Sequence, residues 1–428
     1  MYLRGSRWHM QRERKKRRVN PALIGLILMM AAAACYFNQY VVPTLPLPQA
    51  PTLTPTRDPE SYINAAEAAF EGGNLLQAIS NYEQAIIADP DNPAIYIELA
   101  RMQVFAGRYE AAKTSVSNAL LLSPDNPTAL SILGWTLNFL GERDSAEAAL
   151  ERALLLDPNN PIAHGFLAEV LADKGEYERA AEESRVAVDL NGSLLEVRRS
   201  RGYVLEVTGN PEEAAFHYET AIAINARIAD LHLALGRVYR AMERYEDAIN
   251  EFVVADSLNP TDPLPDTYIG LIYITTGEFG KAVQAMLQAA SEDPSNAFRH
   301  ANLGVAYYRN RQPTEALEAL HLAVRGGVTL DGVVVNGLLL DSPNVAPFYY
   351  IYGLLLARAN RCSEALPISQ ALIASVPDDE VAVSNAQEMV TICEEQSGNP
   401  APTATPLPTI PPAPTEGSEM IIEATPTY

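Results

Sequence analysis

A helix-ending phrase returns along this chain at intervals of 34 residues or multiples of it. It reads "DPDNP" at 89–93, "SPDNP" at 123–127, "DPNNP" at 157–161, and later "NPTDP" at 259–263 and "DPSN" at 293–296. Proline lacks the amide hydrogen a helix needs and pushes the residue before it out of the helical region, so each phrase closes one helix and opens the next. A fixed internal period points to an array of similar units, each packed against its neighbours, and this outranks the roughly three domains that length alone suggests.

With Pro59 as position 1, units begin at Pro59, Pro93, Pro127, Pro161, Leu195, Ala229, Pro263, Ala297 and, after an interruption, Ala346. Position 8 is Ala or Gly in every unit, from Ala66 and Gly134 to Gly353, and position 20 is Ala in every unit, from Ala78 to Ala365. Position 27 is Ala except at Leu372. Between these sites apolar residues recur at helical spacing, as in Leu130, Leu133 and Leu137 and then Leu150 and Leu154, so each unit predicts two amphipathic helices. Turns such as "LGERD" supply a Gly after the first helix, and small residues let the helices cross closely.

This pattern, over residues 59–379, resembles the tetratricopeptide repeat. The resemblance implies an all-α fold, a right-handed α-solenoid of nine helix pairs, in a family united by binding proteins and peptides. The unit at Leu195 departs most, with Arg198 and Arg201 at positions 4 and 7, and is expected to pack most weakly. The stretch "DDEVAVSNAQEMVTICEEQ" at 378–396 is expected to form a C-terminal capping helix, since an end repeat would otherwise expose an apolar face.

Composition divides the rest. Residues 1–20 hold eight Lys or Arg and one acid, a basic segment expected in the cytoplasm. Residues 21–42, "PALIGLILMMAAAACYFNQYVV", carry no charge and approach the length of a bilayer span, so they read as a transmembrane anchor. The basic flank would then leave everything from residue 43 onward outside the cytoplasm, in a single-pass cell-membrane protein. A cleaved signal peptide, or lipid attachment at Cys35, is the alternative. The remaining divisions are a Pro/Thr-rich stalk at 43–58, repeats 1 to 8 at 59–330 and an insertion at 331–345. The ninth repeat and cap then follow at 346–396, with a Pro/Thr-rich disordered tail at 397–428. The insertion carries Asp-Gly and Asn-Gly between β-prone runs, which predicts a small hairpin.

The formal charge is −22 despite the basic start, so the repeat body is a poor ligand for nucleic acid, whose affinity rests on basic side chains. No phosphate loop, HExxH, GxSxG or CxxC motif occurs, so neither catalysis nor a cofactor or metal is expected. His164, His232 and His300 all fall at position 4, two repeats apart. That spacing is on the order of 20 Å, too far for a shared metal, and they read as packing residues. Cys362 and Cys393 fall at the same end of adjacent helices in repeat register. In an oxidising compartment they are expected to form a disulfide, two buried free thiols being the alternative.

The family resemblance further implies that positions 2, 5, 9 and 12 or 13 of each first helix line a concave groove. Here they include Trp135, Phe139, Arg199, Tyr203, Arg237, Arg240, Tyr308, Arg309, Tyr350 and Arg358. Aromatic and Arg side chains anchor interfaces, and a row of Arg suits the carboxylates of an acidic or C-terminal peptide, so a peptide-binding groove for cell-envelope proteins is expected. The competing expectation is a structural accessory subunit of a cell-envelope assembly or secretion complex.

Overall fold

The computed structural model describes residues 21–36 and 58–398. The chain divides into two units, Met1–Arg57 and Asp58–Tyr428. Of the first, the described part is one helix, α1 (Pro21–Tyr36). It covers sixteen of the twenty-two residues of the expected span, about 24 Å at about 1.5 Å each against a hydrocarbon core of roughly 30 Å. No helix among the described residues is long and apolar enough to cross a membrane. The expected basic segment, residues 37–42, and the stalk and tail (apart from Asp58, Ser397 and Gly398) lie outside the described residues.

Nine helix pairs follow among the described residues of the second unit. The first five are α2 and α3 (Pro59–Glu71, Leu75–Ala88), α4 and α5 (Pro93–Phe105, Tyr109–Leu122), α6 and α7 (Pro127–Phe139, Arg143–Leu156), α8 and α9 (Pro161–Asp173, Tyr177–Asn191), and α10 and α11 (Leu195–Val207, Pro211–Ile224). Next come α12 and α13 (Ala229–Ala241, Tyr245–Leu258), α14 and α15 (Leu264–Thr275, Phe279–Glu292), and α16 and α17 (Ala297–Arg309, Pro313–Arg325). After strands β1 (Gly327–Val328) and β2 (Val334–Val335), the ninth pair is α18 and α19 (Ala346–Arg358, Cys362–Ser375), and α20 (Glu380–Gln396) closes the array.

The recurring phrase works as an N-cap followed by proline. Asn92 Oδ1 accepts from the Ala94 amide at 3.1 Å, Asn126 from Ala129 at 3.0 Å, and Asn160 from both Ile162 and Ala163 at 3.1 Å. These satisfy amides the helix start leaves open, while proline at the first helical position has no amide to satisfy. All nine position-20 alanines have no exposed surface. Where position 8 is Gly, a partner side chain occupies the space: a Cβ on Gly134 would lie 2.4 Å from Leu150 Cγ, and one on Gly353 would lie 2.5 Å from Met389 Sδ of α20.

The fifth repeat is knitted into the fourth rather than loose. Arg201 donates to the Ala181 carbonyl at 3.2 Å and to Ser184 Oγ at 2.9 Å, and Arg198 lies 3.2 Å from His217 Nδ1. Burial, with Arg198 and Arg201 alongside, pushes His217 down to about 4, so it is neutral and accepts. At the other end, Cys362 and Cys393 form a disulfide with their Cα atoms 5.5 Å apart, tying α20 to the start of α19.

The insertion also differs from its expected form. Its ladder is two residues long on each side, pairs Gly327 with Val335 and Val328 with Val334, and begins before residue 331. So short a ribbon does not stand alone. It leans on its neighbours: the Leu338 amide donates to the Ala323 carbonyl at 2.8 Å, and the Leu338 carbonyl accepts from Tyr349 Oη at 2.5 Å.

Candidate functional site

The inner face of the first repeats is filled by the chain's own side chains. Trp135 is 1% exposed; it stacks on Phe166 at 4.5 Å and meets Phe105 edge-on at 5.1 Å and Phe139 at 5.8 Å. Phe70 continues the row at 5.9 Å from Phe105. Arg199 lies over Trp135 at 5.1 Å and Phe139 at 5.5 Å, and pairs with Glu169 at 2.5 Å and Asp230 at 3.2 Å. Burial works against the Arg199 charge, but Glu169 and Asp230 outweigh it and hold the guanidinium well above its ordinary pKa.

The same pattern spreads around this face. Arg237 is bidentate to Glu206 at 2.8 and 3.1 Å, Tyr203 donates to Asp173, and Arg240 lies over Tyr268 at 5.2 Å. Two contacts span several repeats. Arg101 of the second repeat pairs with Glu196 of the fifth at 2.6 Å, and Asn225 Nδ2 donates to the Phe70 carbonyl, 155 residues away, at 3.1 Å. The array therefore curls until its first repeat meets the loop ahead of its sixth, and the sequence-predicted residues from Trp135 to Arg237 are engaged within their own and adjacent repeats.

The last repeats are different. Tyr308 and Arg358 come together around a cavity of about 650 Å³, with Arg311, Pro313, Thr314, Leu317, Leu355 and Ala359 as the other walls. It lies between the α16–α17 turn and the last turn of α18, with no residue of the insertion in its walls. Arg358 also pairs with Glu388 of α20 at 2.9 Å, each side chain about half exposed. Arg311 is exposed and has φ 59°, a left-handed conformation given to Gly at the same position of six other repeats, from Gly73 to Gly277. Arg309 is exposed nearby and Tyr350 is buried. Arg311, Leu317 and Leu355 are site residues that the positional rule did not reach: Arg311 falls in the turn and the two leucines on core-facing positions.

The three position-4 histidines are not brought together. His164 Nδ1 lies 2.6 Å from Glu183 and Nε2 3.1 Å from the Pro158 carbonyl, and His232 repeats this with Glu251 at 2.6 Å and Ala226 at 3.0 Å. His300 Nε2 lies 2.9 Å from the Pro294 carbonyl. Each pins the loop ahead of its own repeat. Among the described residues one carboxylate group has metal-ligand proximity, Asp256, Asp266 and Glu292, with oxygens within 4.8 Å of one another. Burial, then Glu292 and Asp256, pushes Asp266 up to about 6.

Family models described as tetratricopeptide repeat match residues 69–136 and residues 139–193, 199–263 and 269–327, together more than half of the chain. No curated protein matches the sequence. Among solved structures, the Cut9–Hcn1 hetero-tetramer of the APC/C aligns at 18% identity and a TM-score of 0.47, over 56% of this chain and 48% of that one. PilF of Pseudomonas aeruginosa aligns at 22% identity and 0.41, over 46% and 90%. A thermophilic TPR protein of Thermus thermophilus aligns at 23% and 0.37, over 43% and 100%. This chain thus spans about half of the Cut9–Hcn1 chain it matches. Helix pairs in 34-residue register, with buried Ala at position 20 of each and family models matching over half the length, make this chain a member of the tetratricopeptide repeat family.

Proposed function

We propose that this chain is a non-catalytic scaffold that holds a protein or peptide segment in the cavity between repeats 8 and 9, tethered to a membrane through residues 21–42 with its repeats outside the cytoplasm. The observation that carries the binding site is the contrast between the two ends. From Trp135 to Arg237 the anchor-type side chains are buried or half-buried against the chain itself, whereas Tyr308 and Arg358, the latter half exposed in its pair with Glu388, border about 650 Å³ of space with an apolar floor. A few polar groups over an apolar floor suit a short segment with an apolar side chain and an adjacent carboxylate. The tether rests on sequence, the basic residues of 1–20 followed by an uncharged run.

A photo-reactive amino acid at Thr314, on the cavity rim, tests the site in cells. It is expected to give adducts with a partner protein, while the same probe at the exposed Asp144 gives none. Equal labelling from both positions would sink the assignment. Protease added to intact cells is expected to reach the repeats, and protection of the repeats would sink the placement outside the cytoplasm.

The second reading, a structural subunit of an envelope assembly, is favoured by one surface. Ile87, Leu121 and Leu155 occupy position 29 of the first three repeats and are 70%, 81% and 83% exposed. A subunit of that kind is expected to co-purify in fixed ratio with one complex.

A further inference from the structure

The chain leaves the structure beside the cavity just described. Gln396, the last residue of α20, donates its Nε2 to the Ala357 carbonyl in the last turn of α18 at 3.0 Å, and the next two residues of that turn, Arg358 and Ala359, line the cavity. Gly398, the last described residue, is two positions on. The cavity offers an apolar floor of Leu317 and Leu355, with Pro313 beside them at the surface, under a rim that carries the cationic Arg311 and Arg358. Arg358's contact with Glu388 is half exposed on both sides, so it is screened and readily exchanged.

Residues 399–428 hold three Glu and no Lys, Arg or His, and their one run of three large aliphatic residues is Met420, Ile421 and Ile422, bracketed by Glu419 and Glu423. The segment matches the cavity in both respects: apolar side chains for the floor and carboxylates for the rim. We propose that Glu419–Glu423 of the same chain is an occupant of this cavity, so that a partner segment has to displace it. This rests on the reading of the cavity as a segment-binding site. About twenty residues connect Gly398 to Glu419, and at roughly 3.3 Å each they reach any point of the rim. A tether of that kind holds the segment at an effective concentration on the order of millimolar, so a weak contact suffices for occupancy.

The test uses the full chain in detergent micelles, with the photo-reactive residue at Thr314 and mass spectrometry of the adducts. The expected product is a cross-link within one molecule between position 314 and residues 399–428, with a yield independent of protein concentration. The double variant Ile421→Asp, Ile422→Asp, which changes only the tail, is expected to lose it. That variant is also expected to bind a labelled peptide of residues 416–428 at least tenfold more tightly than the unaltered chain, because its own tail no longer competes, and Arg311→Glu in the same background is expected to abolish the gain. Circular dichroism on each variant checks that the repeats remain folded. Cross-links that rise with concentration, or equal peptide affinity for both chains, would overturn the proposal. If position 314 captures a partner protein in cells but never the tail, the proposal fails and the cavity assignment stands; if it captures neither, both fail.

Discussion

Arg199 of the fifth repeat reaches back to Glu169 of the fourth at 2.5 Å, with both side chains less than a tenth exposed. Ser200 Oγ donates to the same carboxylate, and Arg199 also covers the ring of Trp135. One buried ion pair thus joins three consecutive repeats. Removing a single partner strands a charge in the interior, which costs about 3–5 kcal/mol, whereas removing both is far less damaging. Arg199→Met is therefore expected to lower the urea midpoint sharply, and Glu169→Gln with Arg199→Met to recover most of the loss. Equal losses in the single and double variants would show that the pair does not act as a unit.

Gly134 faces Leu150 so closely that an added Cβ would sit 2.4 Å from Leu150 Cγ. Gly134→Ala is expected to cost about 1–3 kcal/mol through overpacking. The second repeat suggests the compensation, having Ala100 at that register position and the smaller Val116 at the one matching Leu150. Adding Leu150→Val is expected to restore more than half of the loss in the same urea titration.

The Cys362–Cys393 bridge closes a loop of 31 residues, for which the chain-entropy model gives about 3–4 kcal/mol. Reduction, or Cys393→Ala, is expected to raise amide hydrogen exchange throughout α20 and leave α2 to α13 unchanged. Among the described helices α20 packs chiefly on α18 and α19, far along the array from α2 to α13, so the loss stays local.

Asp266 is pushed up to about 6 by burial and by the nearby Glu292 and Asp256. The folded state therefore holds a proton on this group at pH values where the unfolded chain has released it. Its contribution to stability is largest below the ordinary aspartate range and falls as pH rises from about 4 through about 6. The group is partly exposed, so solvent screening limits the effect to on the order of 1 kcal/mol. Asp266→Asn is expected to raise the thermal midpoint at pH 7.5 and to flatten its decline between pH 4 and pH 7.

The local parts of this fold are legible in the residues because their causes are local. Asparagine before proline caps a helix within three residues of itself, the position-8 glycine Gly134 answers to the second helix of its own unit, and the 34-residue register places Cys362 beside Cys393. Which groove positions stay open is a different kind of property. Arg199 at position 5 and Arg358 at position 13 both belong to the groove-facing set, yet one is buried across a repeat joint and the other borders a cavity. The first repeats also make contacts far apart in the chain, Arg101 with Glu196 and Asn225 with Phe70, across 95 and 155 residues. Such contacts exist because small rotations at successive repeats add up until the array meets itself, and a sum over many packed interfaces leaves no signature in any one stretch of chain. The two-residue ladder at Gly327 is set in the same way, by what lies beside a weakly determined segment.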